Sequence, residues 1–387
     1  MNSLRFHQLI PFYDPTVRDW SLTARLLRWL TFLWLAIGLI VLFSASYYHG
    51  EVDQKGDGFY YFNRQIVAII ISLFIFKAIV HAPLRKLLNI SHWGLLAILG
   101  LLLLTVLTGL GKNTMGATRW ISLGPVQLQP SELIKPFLVL QGAKLFGRWE
   151  QHPMKVRLLW LGVFAIILLA ILKQPNLSTT ALCGMSLWLI AFAAGLSLRH
   201  LGMAAIGGVL IAALSMIINP YQLGRMLSFV NPWATPTTTG FQLVQSLMAI
   251  GSGGALGSGF GLSQQKLGYL PIQDTDFIFS VFAEEFGLVG SVLLLMMVMS
   301  YATLGLLIAL RTSHPVYRLV AIGSTTFIVL QALLNIGVAS GILPTTGLPL
   351  PMFSYGGSSM VATLIQSALL IRVARESSVG KVIPIRG

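Results

Sequence analysis

Ten apolar segments, each close to the length that crosses a lipid bilayer, divide this chain. Hydrophobic residues make up 55% of its 387 positions and charged residues only 10%, whereas soluble domains carry about 25% charged residues. A spanning helix needs about 20 mostly apolar residues. The segments cover residues 26–47, 63–81, 89–110, 131–147, 157–172, 177–197, 201–219, 283–310, 318–340 and 358–374. The sequence therefore predicts an all-α polytopic membrane protein with about ten transmembrane helices.

The distribution of basic residues predicts which side of the membrane each connection faces. Lys and Arg concentrate in the N-terminal segment, in alternate connections and in the C-terminal tail. Because basic loops stay on the cytoplasmic side, both termini are predicted to be cytoplasmic. The chain, 1–387, is then a single membrane domain. Its parts outside the bundle are a cytoplasmic N-terminal segment at 1–25, a large extracytoplasmic loop at 220–282 between the seventh and eighth helices, and a cytoplasmic tail at 375–387.

The net charge of +14 could suggest a nucleic-acid-binding protein, but its placement argues against one. The basic residues lie in short clusters between apolar runs, as topology determinants do. The single cysteine, Cys183, excludes an intrachain disulfide, and the seven histidines lack the spacing of a structural zinc site. We therefore expect membrane lipids, and no nucleic acid, around these clusters.

Two ionisable residues at the start of the fourth predicted span indicate a functional site. The segment Gly116–Lys135 reads GATRWISLGPVQLQPSELIK. Pro130 and Ser131 predict a helix start, where the helix dipole favours Glu132. Lys135 lies one turn further on and can pair with Glu132. Ionisable groups inside a span are costly, so this pair is predicted to serve function.

Other basic residues could meet either lipid or substrate. Arg119 and Trp120 fit an interfacial anchor, since both favour the headgroup layer, and they fit a contact to an anionic phosphate headgroup equally well. Lys173 precedes the helix-breaking Pro175 in the segment KQPN. Its predicted place is the outer surface, where it either snorkels or faces a diphosphate.

Three irregular or amphipathic segments follow. Gly240–Ile250 has the apolar spacing of an amphipathic helix on the outer interface. Gly251–Gly261 is glycine-rich but follows a helix and lacks a Walker lysine, which favours a flexible turn over a nucleotide site. Pro344–Ser359 predicts a re-entrant segment that is buried in protein or lines a wet cavity. Ser358 and Ser359 are predicted to cap the last helix.

The segment Pro271–Gly287, PIQDTDFIFSVFAEEFG, holds a third of the acidic residues of the chain: Asp274, Asp276, Glu284 and Glu285. Asp276 has two compatible interpretations, a helix N-cap worth about 1 kcal/mol and a chemical group at the outer boundary. In one straight helix the glutamates lie about 12 and 13.5 Å deeper, too far to share its proton. They are interpreted as cavity lining or as partners of basic groups on neighbouring helices. The length of this helix predicts a bend near Gly287 or Gly290.

Five ordered motifs resemble those of the SEDS family of cell-shape and division proteins. The motifs are GATRWISLGPVQLQPSELIK, KQPNLSTT, GFQLVQSLMAIGSGGALGSGFG, QKLGYLPIQDTDFIFSVFAEEFG and PTTGLPLPMFSYGGSS. The resemblance extends from about residue 30 to 375 and implies ten transmembrane helices. Within the family the chain is similar to FtsW, the division branch, more than to RodA, the elongation branch.

Members of this family are peptidoglycan glycosyltransferases. The resemblance implies that the chain polymerises lipid II, the undecaprenyl-diphosphate-linked disaccharide-pentapeptide, at the outer face of the bacterial cytoplasmic membrane. It also implies a class B penicillin-binding protein as transpeptidase partner, together with other division proteins. The division branch implies septal synthesis, with RodA-type elongation as the alternative. No cofactor is implied, although a divalent cation could assist the diphosphate.

The same resemblance assigns roles to residues. Asp276 matches the essential aspartate of the family, and our hypothesis makes it the general base for the attacking sugar hydroxyl. The predicted substrate-binding residues match the RW, PSELxK and KQPD elements or begin the last helix: Arg119, Trp120, Glu132, Lys135, Lys173, Ser358 and Ser359.

The chain departs from the family pattern next to these residues. The KQPD aspartate is Asn176, which would form a hydrogen bond with Arg64 where the family has an ion pair. Asp274 replaces the usual histidine before TDF. Its negative charge, two residues away, would raise the pKa of Asp276.

Two other classes of function stay open in the sequence. A flippase that moves lipid II outward would use the buried ionisable residues as a polar path, but the inverted repeat typical of such transporters is not seen. A non-catalytic scaffold for division enzymes would tolerate replacement of Asp276. The polymerase is favoured because the polar residues crowd the outer half of the predicted bundle.

Overall fold

Twelve α-helices form most of the described chain. The computed structural model describes residues 13–54, 56–107, 112–114, 117–123 and 126–379. The helices are α1 Leu22–Asp53, α2 Tyr60–His81, α3 Leu84–Leu107, α4 Pro130–Phe146, α5 Met154–Lys173, α6 Leu177–Ala193, α7 Leu198–Ile218, α8 Pro220–Val230, α9 Phe241–Gly253, α10 Ile278–Arg311, α11 Pro315–Ala339 and α12 Gly357–Val379. Short 3-10 helices occupy Pro15–Asp19, Trp149–Gln151 and Pro232–Ala234.

Each of the ten predicted spans falls on one of these helices. Eight helices of the described chain are long and apolar enough to cross a membrane. The other two, α4 and α6, are each 17 residues long. The all-α polytopic fold is therefore confirmed, while the number of crossings and their orientation stay predictions. Parts of the predicted terminal segments and of the third span, 1–12, 380–387 and 108–110, lie outside the described residues.

The helices differ in how much of their apolar surface other helices cover. In α12, 78% of the most apolar window is buried inside the protein, and in α11 67%, against 6% in α7. Because lipid tails are as apolar as leucine, apolar side chains that face the lipid on a membrane helix are not destabilising. The protein core therefore lies around α11 and α12, and α7 stands at the periphery.

A small antiparallel sheet connects α3 to α4. Its strands are β1 Lys112–Thr114, β2 Ala117–Leu123 and β3 Val126–Leu128, in the order β1-β2-β3. Ile121 pairs with Leu128, so β3 leads directly into the start of α4. These strands were not predicted from the sequence.

The Pro- and Gly-rich segment before α12 is irregular and buried, as predicted. Side chains from two helices hold its backbone. Gln331 of α11 donates to the Pro349 carbonyl at 2.8 Å. Gln65 of α2 donates to the Ser354 carbonyl at 3.3 Å and accepts from the Gly356 amide at 3.1 Å. Polar side chains thus replace the missing backbone partners, which makes irregular backbone tolerable inside the bundle.

The predicted bend in α10 lies at Gly287, where the backbone has φ 66° and ψ −163°. The glycine-rich run packs into this bend. Leu288 and Val289 donate backbone hydrogen bonds to Gly254 and Ala255, at 2.9 and 3.1 Å. The run is therefore a turn locked to α10 by main-chain contacts. The helix itself begins at Ile278, five residues before the predicted start of this span.

Replacement of Gly287 by alanine should lower the unfolding temperature strongly. A Cβ atom at this position would lie 2.3 Å from the Gly257 amide nitrogen, and its φ suits only glycine. Strained backbone of this kind costs about 1–3 kcal/mol even before the clash is counted. Thermal unfolding in detergent tests this. The control is Gly251→Ala in α9, where a Cβ meets nothing within 4 Å; an equal effect of both changes would contradict the explanation.

The long connection 220–282 contains two helices. The predicted amphipathic helix is α9, which packs against α10 and α11. The Ser246 hydroxyl meets the Ser280 hydroxyl and donates to the Ala339 carbonyl, each at 2.6 Å. The sequence analysis did not identify α8, whose exposed apolar residues include Leu227 and Val230. This helix carries Arg225 toward the start of α10.

Candidate active site

Asp276 lies in the turn that precedes α10, and the re-entrant segment holds this turn. The Asn335 side chain donates to the carbonyl oxygens of Asp276 and Leu348, both at 2.8 Å. The Ser354 hydroxyl donates to the Thr275 carbonyl at 2.5 Å. Asn335 is 1% exposed. A rigid helix side chain thus ties the two irregular segments together and fixes the backbone of Asp276.

The side chain of Asp276 is not a helix cap. Phe277 occupies the N-cap position of α10, which has no side-chain cap hydrogen bond. The capping interpretation is therefore wrong. Instead the carboxylate faces Gly347 of the re-entrant segment, where a Cβ atom would lie 3.4 Å from Oδ2. The side chain keeps intermediate solvent exposure, so it is available to a second molecule.

The electrostatic surroundings of Asp276 combine burial with two arginines. Burial has the largest effect on the pKa of Asp276 and raises it, while the positive charges of Arg225 and Arg119 lower it. The negative charges of Asp274 and Glu132 also raise it, and together these effects place the pKa at about 6. The predicted effect of Asp274 is thus present but smaller than that of burial. The carboxylate is poised to exchange a proton near neutral pH.

Arg119 connects β2 to the KQPN turn. Its guanidinium donates to the carbonyl oxygens of Gln174 and Pro175 at 2.9 and 2.6 Å. Lys173, the residue before Gln174, is the last residue of α5 and is exposed, as predicted. Trp120 follows in β2 with intermediate exposure. The structure therefore brings the RW and KQPN motifs together and places Arg119 near Asp276.

Glu132 and Lys135 form the predicted ion pair in the first turns of α4. Lys135 Nζ lies 2.6 Å from Glu132 Oε1 and donates to Gln331 Oε1 at 2.8 Å. Exposed fractions are 2% for Glu132 and 1% for Lys135. Through Gln331 the pair reaches the Pro349 carbonyl. Both residues are thus enclosed by protein, and they brace the re-entrant segment.

The two serines at the start of α12 do not cap it. The helix begins at Gly357, so Ser358 and Ser359 lie within its first turn and the capping prediction is wrong. Ser358 Oγ accepts the Gln129 amide hydrogen at 2.9 Å. Ser358 is 3% exposed and Ser359 8%. Ser358 therefore fastens α12 to the residue that precedes α4.

The proposed hydrogen bond between Arg64 and Asn176 is not formed between these two described residues. Arg64 donates to the Tyr60 hydroxyl at 2.6 Å. Asn176 is the N-cap of α6 and accepts the Thr179 amide at 3.2 Å. The KQPN turn is instead coupled to the rest of the site through Arg119.

Two residues that sequence reasoning did not single out act on the acidic turn. Arg225 is the cation with the largest effect on Asp276. His49 of α1 lies with Nδ1 3.4 Å from Asp274 Oδ1. A signal for Arg225 exists, since Arg225 and Lys266 are the only basic residues in 220–282. No comparable signal marks His49.

Glu284 and Glu285 form a separate buried cluster. Glu284 accepts from the Ser263 hydroxyl at 2.5 Å and from the Gln264 amide at 3.0 Å. Glu285 Oε1 lies 2.7 Å from Lys266 Nζ. The predicted basic partner is therefore present, but it comes from the loop and not from a neighbouring helix. Neither glutamate joins Asp276.

Among the described residues, no group of three or more His, Cys, Asp or Glu side chains is arranged to hold a metal ion. The positive charges that act on Asp276 come from the arginine side chains Arg225 and Arg119.

The geometry agrees with comparisons to known proteins. Residues 24–379 match the FtsW/RodA/SpoVE family, described as cell cycle proteins. The chain belongs to this family. It is 55% identical to the "Probable peptidoglycan glycosyltransferase FtsW" of Synechocystis sp. over 97% of this chain and 95% of that protein. As a member of the FtsW/RodA/SpoVE family with eight candidate spans in its described part, it is a multi-pass protein of the cytoplasmic membrane.

Two solved structures share the family fold. A chain from a study of polymerization and crosslinking by a peptidoglycan synthase complex has a TM-score of 0.72 and 30% identity, covering 91% of this chain and 97% of its own. The rod shape determining protein RodA of Thermus thermophilus has a TM-score of 0.66 and 30% identity, covering 90% of this chain and 96% of its own. The SEDS resemblance stated from the motifs is thereby confirmed.

Proposed function

We propose that this protein is a peptidoglycan glycosyltransferase that polymerises lipid II into glycan strands at the outer face of the membrane, in septal synthesis. One observation carries the proposal: Asp276 is a partly exposed carboxylate on a fixed turn, with Arg119 and Arg225 beside it. The 55% identity to an FtsW named as such an enzyme supports the substrate class and the division role.

The reaction needs a base and a group of cations. The 4-hydroxyl oxygen of one sugar forms a bond to the anomeric carbon of another, and the bond from that carbon to the diphosphate oxygen breaks. The hydroxyl proton passes to a carboxylate oxygen of Asp276, and the diphosphate leaves with the bonding electron pair. Arg119, Arg225 and the exposed Lys173 stabilise the negative charge that develops on the diphosphate.

The buried residues of the predicted substrate set have a different role in this proposal. Glu132, Lys135 and Ser358 are positioning residues, because each is enclosed by protein. Lys135 donates to Gln331 of α11 and is paired with Glu132, and Ser358 accepts from the Gln129 amide. Trp120, which has intermediate exposure, remains a proposed contact to the substrate. Ser359 is 8% exposed and is no longer proposed as a contact. Binding energy then comes from the exposed edge formed by β2, the KQPN turn and α8.

The raised pKa of Asp276 gives a pH dependence. A general base acts only as carboxylate, so protonation at low pH removes activity. Because the pKa is raised to about 6, mainly by burial, kcat/KM should be level above that pH and fall about tenfold per unit below it. Initial polymerisation rates between pH 4.5 and 8 measure this profile. A carboxylate with an ordinary aspartate pKa would keep the rate level down to about pH 4, and that result would contradict the assignment.

A class B penicillin-binding protein is the proposed partner for crosslinking, within the division machinery. The support is the likeness to a chain from a complex that couples polymerization and crosslinking. The direct test is polymerisation of fluorescent lipid II by the full-length protein purified with this partner. Glycan strands on a gel are the expected product.

The flippase is the competing function, and the buried Glu132–Lys135 pair inside a span is what favours it. In liposomes with lipid II confined to the inner leaflet, transport without polymer formation would replace our proposal. With lipid II in the outer leaflet, polymer formation is expected.

Depletion of the protein in cells distinguishes a role in division from a role in elongation. Filamentous cells would indicate septal synthesis, and rounded cells would indicate the RodA-type role.

A further inference from the structure

A polar cavity lies at the opposite end of α4 from Asp276. It has a volume of about 270 Å³ and is lined by His92, Gln141, Lys144, Leu145, His152 and Trp160. His92 comes from α3, Gln141, Lys144 and Leu145 from the end of α4, and Trp160 from the first half of α5. His152 lies on the connection between α4 and α5. Lys144 is 12 residues beyond Glu132, which is about 18 Å along the helix axis. The cavity is therefore separate from the candidate active site.

The cavity lining includes side chains that can donate hydrogen bonds: Lys144, Gln141, His92 and His152. His92 Nδ1 is buried without a hydrogen-bond partner. The Gln141 Oε1 atom already accepts a hydrogen bond from the Ser91 hydroxyl at 3.3 Å. The two N–H groups of the Gln141 side chain can then donate to a bound molecule. A buried polar atom without a partner costs free energy. A bound acceptor would satisfy these groups.

The charge of the cavity selects an anion. Lys144 lines it, and no acidic residue does. The acid nearest in sequence, Glu150, is exposed and lies with Oε2 3.4 Å from Arg157. A cationic donor beside two imidazoles, with no carboxylate opposite, suits a phosphate group, which accepts several charge-assisted hydrogen bonds.

The surroundings place this cavity at a membrane surface. Trp93 on α3 is 68% exposed, and Leu158 and Leu159 at the start of α5 are 61% and 64% exposed. Tryptophan favours the headgroup layer, and exposed leucines meet acyl chains. Arg148 lies on the connection between α4 and α5, which the charge distribution predicts to be cytoplasmic. Anionic lipids concentrate on that leaflet.

We propose that the cavity between α3, α4 and α5 binds the phosphate group of an anionic molecule at the cytoplasmic membrane surface, with Lys144, His152 and His92 as donors. The source of the phosphate is either a phospholipid headgroup or free phosphate. A lipid would extend its acyl chains over Leu158 and Leu159, whereas free phosphate would use the polar lining alone.

Native mass spectrometry of the full-length protein in detergent tests the proposal. Phosphatidylglycerol should bind about fivefold more tightly than phosphatidylcholine, since one basic residue beside an anionic headgroup contributes about a fivefold affinity gain and Lys144 is the one lysine or arginine of the cavity lining. The double variant Lys144→Gln/His152→Gln should lose most of this preference. The matched control Lys155→Gln, an exposed lysine outside the cavity lining, should keep it within about twofold.

Two further measurements distinguish a phospholipid from free phosphate as the ligand and test whether the variants are folded. Displacement of phosphatidylglycerol by equimolar inorganic phosphate identifies free phosphate as the ligand, and its absence identifies the lipid. An unchanged lipid-free unfolding temperature shows that the double variant is folded, and His92→Gln provides a second variant with one donor removed. The proposal is overturned if both cavity variants keep the full preference, or if Lys155→Gln abolishes it equally.

Discussion

Asparagine in place of Asp276 should reduce glycan polymerisation by about 10²–10⁴-fold, the range that a positioned general base contributes. The amide has nearly the same shape as the carboxylate but cannot take up the hydroxyl proton. The backbone of this turn is held by Asn335 and Ser354, not by the carboxylate, so the fold should persist. The measurement is the initial rate of strand formation from lipid II by the protein purified with its partner.

The matched control is Asp274→Asn, a change of the same size two residues away. Asp274 is 2% exposed and lies beside His49, so it does not reach a substrate. Its charge raises the pKa of Asp276. Its loss should therefore keep most of the maximal rate and move the acid limb of the pH profile to lower pH. Wild-type polymerisation by Asp276→Asn would remove this residue from the chemistry.

The helices could be predicted because the bilayer fixes their length and composition. Each of the ten predicted apolar segments falls on a helix, and the start of α4 was predicted from Pro130, Ser131 and Glu132. The small sheet was missed because strands of three to seven residues carry little periodicity. Their pairing depends on α3 and α4 on either side. Local patterns thus decide helices here, and tertiary contacts decide the strands.

The candidate site was predictable only where one segment supplies both partners. Glu132 and Lys135 lie within one turn of the same helix, so their spacing in the sequence predicted the ion pair. Arg225 and Asn335, which act on the acidic turn, are 51 and 59 residues away from Asp276 in the sequence. No single-sequence pattern encodes such approaches. The capping prediction for Asp276 failed for the same reason, because the distant re-entrant segment sets the conformation of this turn.

Replacement of Lys266 by methionine should reduce the free energy of unfolding by about 3–5 kcal/mol, the usual effect of removing one partner from a buried ion pair. Lys266 Nζ lies 2.7 Å from Glu285 Oε1, and the two side chains are 7% and 0% exposed. Glu285 Oε2 is already buried without a partner. Among the described residues, the Ser44 hydroxyl, at 2.5 Å, would be left as the only donor to Oε1. Denaturant titration in detergent micelles measures the loss.

The double variant Lys266→Met/Glu285→Gln separates the charge from the packing. Removal of both charges leaves no uncompensated carboxylate, so most of the lost stability should return. Recovery would show that the pair serves mainly to place the loop against α10, whose first turns follow Asp276. Polymerisation by the double variant then reports how far that placement matters for catalysis. A loss below about 1 kcal/mol in the single variant, as for an exposed pair, would mean that water reaches Glu285 and that this cluster does not anchor the loop.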